Sequence, residues 1–365
     1  MRIFYAAPNT AHQSCLPDSK LWQANLYQPL VDLGHELVVF DFDYAEFNYN
    51  LDHTVPAQKE FIDRNRPRLG EELLRQLRAA HAQKSLDLFF SYFYAGYVEP
   101  EVIREIGGMG ITTVNWYCNA SYQFYLVAEI APAYDYCLVP EKFRLDDYRR
   151  AGARPIYCQE AANPNVYKPY DVPLEYDVTF VGQKYGNRPA YIAHLIENGV
   201  DARAWGPLWN EPPEPVPLRG RLGAFVRPLL GQRVPRQPRV PLTHCGPPLT
   251  DEELIKMYSR SRISLGFSSV ADSSGIKQVR LRDFEAPMSG AFYMVEEFDE
   301  LAEFFEPGKE IVFFTTPEDL LEKARYYLRH EAQRRRIRAA GLRRARAEHT
   351  WQDRFRMVFR EMGLS

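Results

Sequence analysis

Short apolar runs alternate with helical stretches along nearly the whole chain, stop once, and start again. In the first half, strand-like runs lie at residues 2–6, 36–40, 87–91, 112–116, 136–139 and 155–158, and helical patterns lie between them at 21–33, 70–83, 100–106 and 141–151. Leu73, Leu74, Leu77 and Ala80 show the helical spacing most plainly. Such alternation predicts a parallel sheet with helices on both faces, because each returning strand needs a crossover and each apolar face needs a cover. The hinge Glu160-Ala-Ala-Asn-Pro-Asn-Val-Tyr-Lys-Pro169 interrupts the pattern. It resumes with a strand at 177–182, a helix at 187–198 and a strand at 201–205. A helix at 251–261, a strand at 263–267, the helix holding Glu285 and a strand at 291–295 come next. A helix at 299–305, a strand at 310–314 and a helix at 317–330 complete the series. Thr250-Asp-Glu-Glu253 reads as a capping box, and Thr316 followed by Pro317 as a second helix start. The economical reading is an α/β chain of two doubly wound, Rossmann-like parallel-sheet domains, residues 1–165 and 170–345. Residues 346–365 are read as a C-terminal helix packing back toward the first domain.

With 365 residues the chain is too long for one ordinary core and fits two domains of this kind. A net charge of −3 argues against a nucleic-acid partner. No apolar run approaches the roughly 20 residues of a membrane span, and the N-terminal Met1-Arg-Ile-Phe-Tyr-Ala-Ala-Pro reads as a first strand rather than a signal segment. Five scattered cysteines, none in a C-x-x-C pair, predict reduced thiols in a cytoplasmic protein, with no zinc site.

Chemistry concentrates between Gly275 and Gly290. A small polar loop that includes Ser273, Ser274 and Gly275 leads into a helix, and free backbone N–H groups at a helix start favour anions. Lys277, Arg280 and Arg282 add cations, and Glu285 follows with a carboxylate. The set suits a nucleoside diphosphate: cations for phosphates, a carboxylate for ribose hydroxyls. Gly182 ends the first strand of the second domain, where a missing Cβ lets backbone approach phosphate. Arg188 follows as a candidate bidentate phosphate partner. A salt bridge between Glu285 and Arg280 or Arg282 is the plain structural alternative.

Two other basic stretches stand out. Residues 216–246 hold Arg219, Arg221, Arg227, Arg233, Arg236 and Arg239 and no acid. They read as a solvated basic loop, with an anionic acceptor or peripheral contact with the inner membrane face as the functional alternative. The arginine run 334–346 reads as an exposed helix face.

The second half, roughly residues 177–359, resembles the CgeB-like (spore maturation protein) glycosyltransferases of the GT-B fold. The residues that carry the resemblance begin with Tyr176-Asp-Val-Thr-Phe-Val-Gly182, Arg188, Trp205-Gly206 and Leu254 to Tyr258. Arg282-Asp-Phe-Glu285, Ser289-Gly290-Ala-Phe and Phe305-Glu-Pro-Gly-Lys-Glu-Ile311 follow, then Tyr326 to His330 and His349-Thr-Trp351 with Arg354. The resemblance implies a nucleoside-diphosphate sugar (UDP-, GDP- or dTDP-linked) on the second domain, with Glu285 on the ribose. It implies a glycan, lipid-linked or protein acceptor on the first domain, and transfer in the cleft without a bound metal or other cofactor. The chain departs from related patterns twice. Lys277 stands where glycogen-synthase-like retaining enzymes carry a Glu, and Asn119 stands near a position often acidic in CgeB-like proteins.

On the first domain, His12 in the loop after the first strand is the candidate catalytic base, since its pKa sits near working pH; Asp18 is the weaker candidate. Tyr92, Tyr94, Trp116 and Asn119 at two later strand ends are the candidate acceptor residues, because flat rings stack on sugar C–H faces. Core packing is the alternative for each ring. A GT-B nucleotide-sugar epimerase, a phosphorylase-like enzyme and a non-catalytic nucleotide-binding protein of cell-surface assembly are the rival readings. An NAD-binding Rossmann enzyme is disfavoured, because Ala6-Ala-Pro-Asn replaces the glycine fingerprint.

Overall fold

The computed structural model describes residues 1–8, 19–211, 239–270 and 275–364. His12, Asp18, Ser273, Ser274 and most of the basic stretch 216–246 therefore lie outside the described residues. The first sheet joins β1 (Arg2–Ala6), β2 (Glu36–Val39), β3 (Leu88–Ser91), β4 (Thr112–Trp116), β5 (Tyr136–Val139) and β6 (Pro155–Tyr157) in the order β2-β1-β3-β4-β5-β6. The second joins β7 (Tyr176–Val181), β8 (Ala202–Trp205), β9 (Cys245–Gly246), β10 (Ser261–Gly266), β11 (Tyr293–Glu296) and β12 (Val312–Phe314) in the order β12-β11-β10-β7-β8-β9. Every pairing in both sheets is parallel. β1 and β3 are buried throughout, as strands covered on both faces must be, whereas edge strand β2 is half open.

The strand order reverses between β1 and β3 in one sheet and between β7 and β10 in the other. Crossovers diverge at such switch points and leave a crevice beyond the carboxyl ends of the strands. The two crevices face each other.

Three helices differ from their sequence-based expectations, each for a physical reason. The stretch 21–33 is not one α-helix: Gln23–Tyr27 is a π-turn and Gln28–Asp32 an α-helix. Pro29 has no N–H to donate, and the ladder widens before it. The helix predicted over 70–83 starts at Pro56 and runs through Pro67 to Gln83. Ile62 and Leu69 are buried on its inner face, and Lys59–Asp63 and Glu60–Arg64 pair at helical spacing on the outer one. The arginine run 334–346 belongs to helix Glu331–Glu348 but is not all solvated. Arg334 is buried, and its guanidinium caps the carbonyls of Tyr327 and Leu328. Thr250 and Thr316 do cap their helices, accepting from the N–H groups of Glu253 and Asp319.

One core fills the first domain, and two clusters sandwich the second sheet. Trp351, Phe355, Val358 and Phe359 of the last helix, Trp351–Glu361, belong to the first-domain core, although the chain has already built the second. No helix among the described residues is long and apolar enough to cross a membrane.

Candidate functional site

A cleft of about 390 Å³ lies where the two switch points meet. Gly182 and Gly206, which follow β7 and β8, form its floor on the second domain. Their backbones touch: a Cβ on Gly206 would lie 2.5 Å from the Gly182 carbonyl oxygen. A Cβ on Gly182 would meet the Phe180 ring at 2.8 Å and the Arg282 guanidinium at 3.1 Å. Only glycine lets backbone and a cation come this close to a bound group.

Three arginines converge beside that floor. Arg188 opens helix Arg188–Glu197 and is buried at 3% exposure. Its guanidinium donates to the Gln183 carbonyl at 2.8 Å and to the Tyr185 hydroxyl at 2.5 Å. It also lies over the rings of Tyr185 and Phe180. Arg280 donates to the carbonyls of Phe267 and Ser269, and Arg282 covers Phe180 while its Nε has no partner. Among the described residues, no carboxylate pairs with any of the three within 4.0 Å. Burial, with the repulsion of Arg280 and Arg282, pulls the Arg188 pKa down to about 9. The cluster is thus a concentration of cationic donors with no direct ion pair among the described residues, although the buried carboxyl groups of Asp283 and Glu285 lie near enough to Arg282 to act on it electrostatically.

Glu285, on helix Leu281–Met288, lines the same cleft at 4% exposure. It forms no ion pair with Arg280 or Arg282. Instead the Asn25 amide donates to it at 3.5 Å and to the Tyr167 hydroxyl at 3.3 Å. Burial pushes its pKa up to about 7, opposed by Tyr167, Arg282 and Asn25. The π-turn of residues 23–27 delivers Asn25 to this point, and the hinge delivers Tyr167.

The predicted donor residues separate in space. Gly182, Arg188, Arg282 and Glu285 come together in the cleft. Lys277 does not line it: its Nζ donates to the Glu297 carbonyl at 2.6 Å and sits 3.6 Å from Glu296. Gly275 is exposed and outside it. Arg280 lines the cleft in their place. On the acceptor side Tyr92, Tyr94 and Asn119 face the cleft. Trp116 instead lies behind the wall at 0% exposure, with ring contacts to Trp22, Tyr92 and Trp351. The short strand β4 is covered on both sides, and its alternation turns Trp116 inward. Trp22, Asn25, Glu160, Tyr167, Tyr185 and Asp251 were not read as site residues. The one clue was that Tyr167 and Glu160 belong to the hinge. Among the described residues no group of three or more His, Cys, Asp or Glu side chains is placed to hold a metal ion.

Behind the acceptor wall Glu141 is buried; Glu141 Oε1 accepts from the Ser121 N–H and Oε2 has no partner. Desolvation raises its pKa from 4.5 to about 8. The folded protein therefore keeps this proton where the unfolded chain releases it. Its contribution is fully present below pH 4.5 and is lost as pH rises toward about 8. Glu141→Gln is expected to gain on the parent across that window, by on the order of 2–4 kcal/mol at its upper end. Urea titrations at pH 5 and pH 9 check this, and a stability gap that does not widen at pH 9 refutes it.

Ser19 Oγ and the Lys20 N–H both donate to the Asp251 carboxylate at 2.7 Å, and Ser121 bonds Gln278, so the cleft is spanned by contacts between the domains.

Residues 191–360 match the family model described as glycosyl transferase-like. No curated protein sequence matches the chain. Among solved structures, a sucrose-phosphate synthase from Thermosynechococcus elongatus superposes with TM-score 0.64 at 12% identity, covering 99% of each chain. An alpha-glucosyltransferase in complex with UDP-glucose and DNA containing an abasic site gives 0.63 at 11%, covering 100% of this chain and 99% of the other. Anabaena HepE in complex with UDP gives 0.58 at 11%, covering 100% of each. The fold is GT-B: two Rossmann-like domains facing across a cleft.

Proposed function

We propose that the chain is a glycosyltransferase that moves a sugar from a nucleoside-diphosphate donor to an acceptor hydroxyl. The observation that carries this reading is the trio Arg188, Arg280 and Arg282. It is gathered at the carboxyl end of β7 with no ion pair within 4.0 Å among the described residues, and the carboxyl groups of Glu285 and Asp283 stand beside it. A diphosphate neutralises such a trio, and Glu285 then accepts from ribose hydroxyls. The glycosyl transferase-like match over residues 191–360 and the nucleotide sugars or nucleotides named for the similar structures support the same assignment.

In this reading residues 170–345 hold the donor and residues 1–165 the acceptor. The acceptor oxygen forms a bond to the anomeric carbon while the bond from that carbon to the β-phosphate oxygen breaks. Negative charge grows on the departing diphosphate, where fixed guanidinium groups stabilise it. Tyr92 and Tyr94 offer ring faces to the acceptor. Contacts such as Ser19–Asp251 hold the domains together and keep water from the anomeric carbon. We place the chain in the CgeB-like branch on the residues Arg282-Asp-Phe-Glu285 and Gly182, all of which border the cleft or lie within its helix.

A thermal-shift panel of UDP, GDP, dTDP and their sugars, run with EDTA because the arginines supply the positive charge, tests the reading. At least one nucleoside diphosphate is expected to raise the melting temperature. A ligand at 100 times its Kd adds about 2.7 kcal/mol to the native state. Transfer is then followed with that donor. No shift from any nucleotide sinks the assignment, and consumption of the donor without an acceptor points to epimerisation or hydrolysis.

A further inference from the structure

Three carboxyl groups among the described residues line the cleft: Asp251, Glu285 and Glu160. Two are engaged. Asp251 accepts from Ser19 and Lys20, and Glu285 from Asn25. Glu160 differs: it is only 7% exposed, and its Oε2 has no hydrogen-bond partner. A buried carboxyl oxygen left unpaired is costly, and on the wall of a cleft, unlike Glu141 behind it, a ligand group is what can pair it.

The position of Glu160 says which group. It lies in the hinge between the domains, and its backbone is pinned. Its N–H donates to Gln159 Oε1 at 2.8 Å, and the Gln159 amide in turn holds the Pro140 carbonyl at 2.8 Å and Glu300 at 3.2 Å. On the acceptor side Glu141 acts on it electrostatically, and Glu160 in turn acts on the Cys118 thiol, which bonds the Tyr92 hydroxyl. On the donor side Arg280 and Glu285 are close enough to act on it electrostatically. Glu160 lines the same cleft as Tyr92, Tyr94 and the three arginines, so it is in place to meet a group held between the two domains, and in a transfer reaction that group is the sugar ring. Lys277, expected to reach phosphate and standing where glycogen-synthase-like enzymes carry a Glu, is turned away to Glu296 and Glu297.

We propose that Glu160 hydrogen-bonds a ring hydroxyl of the sugar being transferred and so sets which donor sugar the protein accepts, an inference that rests on the glycosyl-transfer reading above. Burial, with Glu141 and Glu285 nearby, holds the Glu160 carboxyl well above the usual carboxylate range. A neutral carboxyl both donates to and accepts from a hydroxyl, which a carboxylate cannot do.

Calorimetric titration with matched pairs tests the proposal: UDP and UDP-glucose, GDP and GDP-mannose, dTDP and dTDP-glucose, followed by kinetics on the pair that binds. In Glu160→Ala the nucleoside diphosphate is expected to bind as in the parent. Discrimination between the preferred donor and its hydroxyl epimer, measured as a ratio of kcat/KM, falls about 10- to 100-fold. Glu160→Gln, which keeps shape and hydrogen bonding, recovers part of that ratio and guards against a merely misfolded alanine variant. Both variants discriminating as the parent does overturns the proposal. So does Glu160→Gln losing kcat with discrimination intact, which makes the residue a proton acceptor instead. A parent that binds none of the nucleotides defeats the underlying reading, a result distinct from either.

Discussion

Arg188→Met is expected to weaken nucleoside diphosphate binding about 100-fold, and the turnover of any donor by about 10²–10³, while leaving the empty protein as stable as the parent or more so. Two opposite effects meet in this residue. Toward a phosphate, a buried guanidinium offers two charge-assisted hydrogen bonds, each worth about 1.5–3 kcal/mol. Losing a donor aimed at charge that develops in the transition state costs rate as well. In the empty protein the same guanidinium is a desolvated cation beside two others, with its pKa drawn down to about 9. Among the described residues its guanidinium hydrogen-bonds Gln183 and Tyr185, and no carboxylate pairs with it. Replacing a buried charge by an apolar side chain of similar length is neutral or stabilising in such surroundings. Melting curves with and without UDP, GDP and dTDP read both halves at once. A variant that melts lower when empty yet still responds to nucleotide would show that Arg188 is a structural residue.

Trp351→Ala is expected to cost about 3–5 kcal/mol of stability, a large share of the 5–15 kcal/mol that holds a native protein together. Trp351 is fully buried, 5.2 Å from the Trp116 ring and 5.6 Å from Phe355 by centroid. Its backbone N–H bonds the Ala162 carbonyl in the hinge at 3.3 Å. It therefore stands behind Trp116, which in turn backs Trp22 and Tyr92 on the cleft wall. The void left by an indole at this junction loosens the first-domain core and the hinge together. Urea denaturation measures the cost. A loss below about 1 kcal/mol, within the range of surface substitutions and mild repacking, would mean that the last helix is an ornament on the first domain.

The two sheets were legible in the sequence because the signal is local. The central parallel strands are buried on both faces and appear as short apolar or β-branched runs, so β1, β4 and β5 fall where the pattern puts them. Threonine caps are equally local, and Thr250 and Thr316 mark their helices correctly. Gly182, Arg188, Arg282 and Glu285 were legible for a related reason. Each sits within a few residues of a strand end or a helix start, where a doubly wound sheet keeps its ligand crevice. Lys277 was misjudged by the same logic, since proximity in sequence to Arg280 says nothing of direction. The bridge between Ser269 and Lys277 folds the loop back, and Lys277 leaves the cleft toward β11.

The alternation of apolar runs and helical patterns in this chain specified two parallel sheets and the strand-end positions from which ligand contacts arise, because burial on both faces and capping act over a few residues. Tertiary structure alone decided which side chains meet. Trp22, Tyr167, Glu160 and Arg280 reach one cleft from the first helical stretch, a hinge and a helix start, up to 258 positions apart in the chain (280 − 22). Packing of the last helix against the first core brings Trp351 behind that cleft. No periodicity encodes such meetings. They follow from how two finished domains bury their remaining surfaces against each other.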